Sequence, residues 1–440
     1  MATTYLTRTF NSPTNRKIYT WSAWVKKISL ISDHQNAMFG AWYDSSNRSV
    51  IRFNGNKLQF QDTANSVDVL TTRIFKDTNA WYHIVIAVDT TQATASNRVK
   101  IYVNGVQETV FDTANYPAQN DNLQFNGQDP HYVNARKQTN VDSIADTVYS
   151  NINFCDGTQL APTVFGETDS TTGEWKIINS PSFTLGNNGF QILKDGNTIT
   201  DQSSNSNNWT LGGGILTKTE DCPSNVFATL NPLATFQVAP TYSNGNNTIT
   251  AGAGGSGSSP FSTIGASSGK YYAELSLGSV SGGGISCGII DITQFNPNFQ
   301  TDAWFYYPTY GYAYMSSNGN KGNNNAETSY ANSYTNGDRI GVAMDLDNNK
   351  LYFAKNGVWQ NSGDPTSGAT GTGAAFTIAD GTYGFAVYGY DSKVWNANFG
   401  NGYFGTTAVS SAGTNASNNG IFEYDVPTGY TALSTKGLNL

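Results

Sequence analysis

The clearest pattern along the chain is alternation. In Ile18-Tyr19-Thr20-Trp21-Ser22-Ala23-Trp24-Val25, Tyr19, Trp21, Ala23 and Val25 share one side and Thr20 and Ser22 the other. That is the period of a half-buried strand, with Trp24 as the exception. Residues 81–89, Trp-Tyr-His-Ile-Val-Ile-Ala-Val-Asp, are almost continuously apolar and predict a central sandwich strand. Residues 98–103 alternate and end in Asn104-Gly105, a pair that takes the left-handed backbone of a tight hairpin. Val106 to Phe111 is predicted to return along that strand. The second half repeats this grammar: Ile340, Val342, Met344 and Leu346 lie on one face. The turn Asp347-Asn348-Asn349-Lys350 leads to Leu351-Tyr352-Phe353-Ala354, and Asn356-Gly357 marks a second hairpin. No stretch combines helical periodicity with caps.

These elements predict an all-β chain of two antiparallel, jelly-roll-type β-sandwiches. Polar and glycine-rich runs, Ser203 to Asn208, Gly212-Gly213-Gly214 and Cys222-Pro223-Ser224, read as loop. The expected organisation is a sandwich at 1–176, a loop-rich bridge at 177–232 and a second sandwich at 233–440.

Composition narrows the classes. Of 440 residues, 38% are hydrophobic and 13% aromatic, enough for packed cores, while only 13% are charged, about half the usual share. Coiled coils and extensive disorder do not fit. A net charge of −8 without a Lys/Arg cluster in sequence argues against a nucleic-acid partner. No apolar run is long enough for a membrane helix, and residues 1–17 lack the apolar centre of a secretory signal. Synthesis in a cytoplasm, without membrane insertion, is expected. Cys155, Cys222 and Cys287 are distant and odd in number, so three buried thiols are expected rather than a disulfide framework.

Three groups of segments carry family resemblances. Thr20 to Lys26, Trp81 to Val85 and Lys100 to Gly105 resemble the laminin-G/concanavalin-A-like lectin superfamily. Gly269 to Leu275, Gly337 to Val342, Leu351 to Phe353 with Asn356 to Val358, and Trp395 to Gly400 resemble an SPRY domain. The intervening Phe165 to Asp169, Gly173 to Lys176, Asn187 to Phe190 and Cys222 to Pro232 look like a linker of tailed-bacteriophage structural proteins, marine and cyanophage ones especially. This resemblance implies a non-enzymatic virion surface protein, a tail fibre or a capsid fibre or decoration protein, that binds host-surface glycans. Its implied partners are other virion proteins and those glycans, as a homo-oligomer. The alternatives are a purely structural virion protein and a polysaccharide depolymerase.

Laminarinase-type glucanases carry two catalytic carboxylates in E-x-D-x-x-E. Here Glu167-Thr168-Asp169-Ser170-Thr171-Thr172 lacks the last acid, and Glu174 comes two positions late, so a turn is expected. His34, His83 and His131 are isolated, and His83 reads as a structural histidine within an apolar strand. Asp345-x-Asp347-x-Asn349 departs from a Ca²⁺ loop at Lys350 and Asn356 and reads as a hairpin turn. Gly282-Gly283-Gly284 precedes a strand and lacks a phosphate loop's lysine. No cofactor is expected except Ca²⁺, for which the loop carboxylates Asp44, Asp112 and Asp142 are the candidate ligands. For ligand binding, Tyr306, Tyr307 and Tyr310 supply rings on which sugars stack, and the neighbouring Asn318, Asn320 and Asn323 supply amides. The alternation of Tyr310, Tyr312 and Tyr314 also fits one face of a strand packed in the sandwich, and the core is the favoured place for any single tyrosine. A second candidate surface is the turn carrying Trp42 and Asp44.

Overall fold

Tyr19, Trp21, Ala23 and Val25 all enter one buried core, while Trp24 lies on the opposite face of the strand, stacked on His83 at 5.0 Å. The computed structural model describes residues 4–30, 36–137, 140–194, 196, 198–234, 238–253, 257–279, 285–294 and 304–440. His34 and Gly282 to Gly284 lie outside them. The described residues contain strands, turns and short 3-10 turns but no α-helix. The chain divides into two units, Met1–Lys218 and Thr219–Leu440.

The first unit is built on two antiparallel sheets. The eight-stranded one runs in the order Phe111–Asn115, Val67–Ile74, Lys57–Asp62, Arg48–Asn54, Asn36–Trp42, Pro130–Val133, Tyr5–Thr9 and Thr210–Gly213. The six-stranded one runs Phe190–Ile192, Thr147–Asp156, Ile18–Lys27, Trp81–Asp89, Val99–Val103 and Val106–Gln107. Their inner faces share Trp21, Phe39, Phe125, Phe154, Phe190 and Trp209. Truncating one such ring to alanine would cost about 3–5 kcal/mol. Trp81–Asp89 is central, as its apolar run predicts. Asn104 and Gly105 both adopt positive φ, 49° and 81°, the hairpin geometry expected of the pair. The return strand is shorter than expected: Val106–Gln107 pairs back for two residues, then Phe111–Asn115 joins the other sheet.

The outer face of the six-stranded sheet is also buried. Residues 158–183 cover it. Thr20 Oγ1 donates to Thr158 O (2.8 Å) and accepts from Leu160 N–H (2.8 Å). His83 accepts the Trp175 indole N–H at Nδ1 (3.0 Å) and meets Ser22 Oγ at Nε2 (2.9 Å), so Nε2 carries the proton toward Ser22. The Trp175 ring lies so close to Gly105 and Gly166 that a Cβ at either would sit 2.6 Å from it.

The segment expected as a bridge, 177–232, is divided between the units. Phe190–Ile192 and Thr210–Gly213 are strands of the first, whereas Phe227 and Leu230 bridge to Ser434 and Ser262 in the second.

In the second unit a nine-stranded sheet is centred on Val394–Asn398, Lys270–Ser279, Arg339–Asp345 and Lys350–Lys355. A five-stranded sheet runs Ala326–Thr328, Lys321–Asn323, Gly311–Met315, Ser286–Asp291 and Tyr383–Tyr388. Ile340, Val342 and Met344 pack inward beside Tyr312, Tyr314 and Trp395. Asn356-Gly357 forms the second hairpin, with φ of 49° and 80°. The Asp345 to Asn349 segment is a turn: Asp345 accepts from Asn348 N–H (3.0 Å) and pairs with Lys270 (3.1 Å). Outside the larger sheet, the buried Glu274 carboxylate accepts from Glu423 N–H and Tyr424 N–H (2.8 Å each), Tyr272 OH (3.2 Å) and Asn398 Nδ2 (3.3 Å). It thereby pins the segment carrying Phe422 to the sheet. Of the three thiols, Cys155 and Cys287 are buried, but Cys222 is only half-buried, because its Cys-Pro-Ser turn lies in a surface loop.

The two units respond oppositely to mild acid. Burial pushes His83 and His131 down to about 3, so they stabilise the first unit above the free histidine value of 6.5, and that stability is lost as pH falls toward 3. At pH 5 the loss is about 2 kcal/mol per histidine. Burial pushes Glu274 up to about 7, against its four hydrogen bonds. Its contribution is therefore complete below the ordinary 4.5 and is lost as pH rises through 7. Calorimetry at pH 7, 6 and 5 should show one unfolding transition moving down and the other up, and Glu274→Gln should flatten the second trend. Two transitions moving in parallel would contradict these assignments.

Candidate functional site

The tyrosine-rich stretch forms a layer over the outer face of the five-stranded sheet. Tyr306 is 3% exposed and packs with Phe305, Ala313, Met315 and Tyr388. Trp304 stacks on Tyr388 at 4.0 Å and meets Tyr306 edge-on at 5.4 Å. Tyr307 and Tyr310 are half-buried at the edge of this layer. Tyr310 precedes the strand Gly311–Met315 and stays on its outer side, while Tyr312 and Tyr314 point into the core. Tyrosine density therefore marks mainly a second small core.

The asparagines build the adjoining loop. Asn318 and Asn320 donate to Glu327 Oε2 (3.1 and 3.2 Å), and Tyr306 OH donates to Glu327 Oε1 (3.0 Å). Partial burial draws the Glu327 carboxyl up, but the three donors outweigh it and hold it below its ordinary value. Asn323 donates to the carbonyls of Thr309 (2.9 Å) and Gly311 (2.7 Å). Sequence reading missed Glu327 as the hub, since nothing local distinguishes it from any surface glutamate.

The three candidate Ca²⁺ ligands are engaged separately. Asp44 closes its own turn, accepting from Ser46 N–H (2.8 Å), Asn47 N–H (2.9 Å) and the Asn47 amide. The Asn47 side chain and these backbone donors hold its carboxyl below the ordinary value. Asp112 pairs with Lys57, and Asp142 with Arg136 at 3.1 Å. Among the described residues no three His, Cys, Asp or Glu side chains gather as a metal site. Trp42 is half-buried beneath Lys137, whose Nζ lies 4.0 Å from the ring centroid. Glu167 and Asp169 lie on an exposed hairpin, both paired with Lys176 at 3.3 Å. The Thr172 and Thr171 N–H groups and Lys176 draw Asp169 down to about 2. It is held as an anion rather than as a proton donor.

A polar groove of about 420 Å³ opens beside the Asp44 turn, lined by Pro13, Arg16, Tyr43, Asn47, Gln124, Gly127, Gln128 and Asp129. Tyr43 is 61% exposed. Arg16 Nε donates to Leu123 O (3.0 Å), and Gln124 Nε2 donates to Asp129. Burial raises the Asp129 carboxyl above its ordinary value, with Arg16 and Gln124 opposing. Gly127 makes the arrangement feasible: a Cβ there would lie 2.8 Å from Asp129 Oδ2 and 3.2 Å from Arg16 Nη2. Sequence reading reached the 42–47 turn, Tyr43 included, but missed Arg16, Gln124 and Asp129, which are distant from it in the chain.

Residues 2–145 match the concanavalin A-like lectin/glucanases superfamily, and residues 274–401 match the SPRY domain. The chain carries a concanavalin-A-like domain and an SPRY domain. Among solved structures, the SPRY domain of human HERC1 aligns at 20% identity over 38% of this chain and 96% of that one, with a TM-score of 0.30. The stonustoxin structure aligns at 17% identity over 40% of this chain and 27% of that one, with a TM-score of 0.27. No curated protein matches the chain in sequence. Both domain families point to carbohydrate or protein binding. The Tyr43 groove lies wholly within the concanavalin-A-like match, and the Glu327 loop within the SPRY match.

Replacing Glu327 with alanine would leave three donors without their acceptor. A local cost of about 1–2 kcal/mol is expected, as faster amide exchange in residues 316–328 with residues 311–314 unchanged. Exchange that stays at its wild-type rate in 316–328 would show that Glu327 is not the hub of the loop.

Proposed function

We propose that the protein is a non-enzymatic binding protein whose concanavalin-A-like domain takes a neutral saccharide in the Tyr43 groove. The observation that carries this reading is the exposed Tyr43 ring at the rim of a polar groove. A pyranose turns an apolar C–H face toward such a ring, and its hydroxyls need donors and acceptors at its edges. Asn47, Gln124, Gln128, Asp129 and Arg16 offer both. Asp129 is the one carboxylate among the lining residues, which leaves a two-carboxylate hydrolase one acid short.

In the fuller form of the proposal, the protein is displayed on a tailed-phage virion, as a tail fibre or a capsid fibre or decoration protein, and binds glycans of the host surface. The sequence of the 165–232 segments supports this part, together with the pairing of the two domain types. Many copies would convert weak sites into firm attachment. A second reading, contact with other proteins, is favoured by Ile74, Val106 and Val110, each more than half exposed around one hairpin.

The test is retention of full-length protein, displayed multivalently, on a glycan array and on host polysaccharide. Tyr43→Ala should weaken binding about tenfold, or ~1.4 kcal/mol, without shifting the melting temperature, since Tyr43 packs little. If Tyr43→Ala binds as well as wild type, or if no neutral saccharide retains the protein, the groove is not the site.

A further inference from the structure

Three guanidinium groups meet on the outer face of the eight-stranded sheet. Arg48 and Arg52 leave the strand Arg48–Asn54 on the same side, separated by Val50. Val50 pairs with Gly40 on the neighbouring strand. The backbone of Arg136 lies directly over Gly40: a Cβ at Gly40 would be 3.1 Å from Arg136 Cα. The Arg136 guanidinium, paired with Asp142, is near enough to both Arg48 and Arg52 to repel them. Lys137 and Trp42 lie alongside, stacked on each other.

The positive charge here exceeds its local compensation. The carboxylates that act on the group are Asp142, paired with Arg136, and Asp68, which accepts from Gln59 Nε2 at 2.6 Å. Arg52 is 5% exposed, and its visible partners are neutral: Gln59 Oε1 at 2.7 Å and Gln61 Oε1 at 3.3 Å. Arg48 donates to the carbonyl of Ser45. Three buried N–H groups, Arg52 Nη1, Arg48 Nε and Trp42 Nε1, have no hydrogen-bond partner among the described residues. An unpaired buried donor is costly, and one on a cation more so. Burial and mutual repulsion draw Arg52 down to about 10, and the same two effects lower Arg48. Two cationic donors of this cluster, Arg52 Nη1 and Arg48 Nε, thus lack an acceptor among the described residues, and a bound anion would supply one.

We propose that Arg48, Arg52 and Arg136 form a binding site for one anionic oxygen group, the carboxylate or sulfate of an acidic saccharide. Guanidinium forks match both groups through paired N–H bonds. The neutral Gln59 and Gln61 amides and the Trp42 indole surround the cations with groups that suit a sugar. The chain's overall negative charge opposes a polyanion such as nucleic acid. This site does not depend on the Tyr43 groove and uses different residues.

Isothermal titration of the full-length protein with methyl glucuronide, with sodium sulfate and with neutral methyl glucoside, at constant ionic strength in chloride, tests the proposal. At least one anion should bind saturably in the millimolar range while the glucoside does not. Whichever anion binds identifies the group as uronate or sulfate. Arg136→Gln, on a half-exposed hairpin, and Arg48→Gln should each weaken binding about tenfold or more, whereas Tyr43→Ala should leave it within about twofold. Arg52→Gln is a weaker probe because its burial endangers folding. Absence of saturable binding by either anion up to 50 mM would overturn the site, as would wild-type affinity in both Arg136→Gln and Arg48→Gln.

Discussion

A strand buried on both faces must find a partner for each polar side chain it turns away from the core, because an unpaired buried donor or acceptor costs about 1–3 kcal/mol. Both domains are shaped by that constraint. In the concanavalin-A-like domain, Thr20, Ser22 and His83 leave the core side, and the segment 158–183 returns over them with a carbonyl, a backbone N–H and the Trp175 indole. In the SPRY domain, Glu274 is the outward group, and the chain near residues 423–424 returns to give it two N–H groups. Each covering segment is tied down in part by the polar atom it satisfies. Glycine at 105 and 166 lets the Trp175 ring come close enough to do so.

The same constraint decides where ligands can reach. Faces already covered are closed, which leaves turns and any sheet face whose polar groups remain unpaired. The Tyr43 groove is of the first kind. Asp44 locks the turn by taking the N–H groups of Ser46 and Asn47, so Tyr43 is presented on a fixed backbone. A ring with two rotatable bonds then offers contact area at small entropic cost. The arginine group is of the second kind. There Arg52 Nη1, Arg48 Nε and Trp42 Nε1 gather as buried donors without a partner among the described residues.

What could be read from the sequence follows from how local each signal is. The faces of residues 18–25 and 340–346, and the hairpins at Asn104-Gly105 and Asn356-Gly357, depend on neighbours in the chain, and the structure places them as read. Trp24 broke the alternation because its partner comes from elsewhere: it stacks on His83 of the next strand, which is itself stacked on Trp175 of the covering hairpin. Tyr306 looked like a ligand platform because a run of tyrosines says nothing of what lies above it, and its acceptor, Glu327, is 21 residues away. The polar bridge at 177–232 concealed strands, since Phe190–Ile192 and Thr210–Gly213 are too short to show a period. The groove and the arginine group draw on segments around residues 13–16, 43–52 and 124–136, a convergence that only the sheet order creates.

Charge separates the two proposed sites in kind. The groove offers mostly uncharged amides and a phenol, so its interactions change little with salt. The arginine group is largely withdrawn from water, where screening by ions is weaker than at an open surface. Its attraction for one anionic oxygen group would therefore persist at salt concentrations that dissolve exposed ion pairs. Each site is small, and each would bind a single sugar unit weakly. A saccharide carrying both neutral and acidic units, met by many copies of the protein, would be held through the product of such contacts rather than through any one of them. That arrangement suits a chain with few charges: selectivity for an acidic unit would come from Arg48 and Arg52, whose buried donors lack an acceptor among the described residues, with Arg136 adding positive charge beside them.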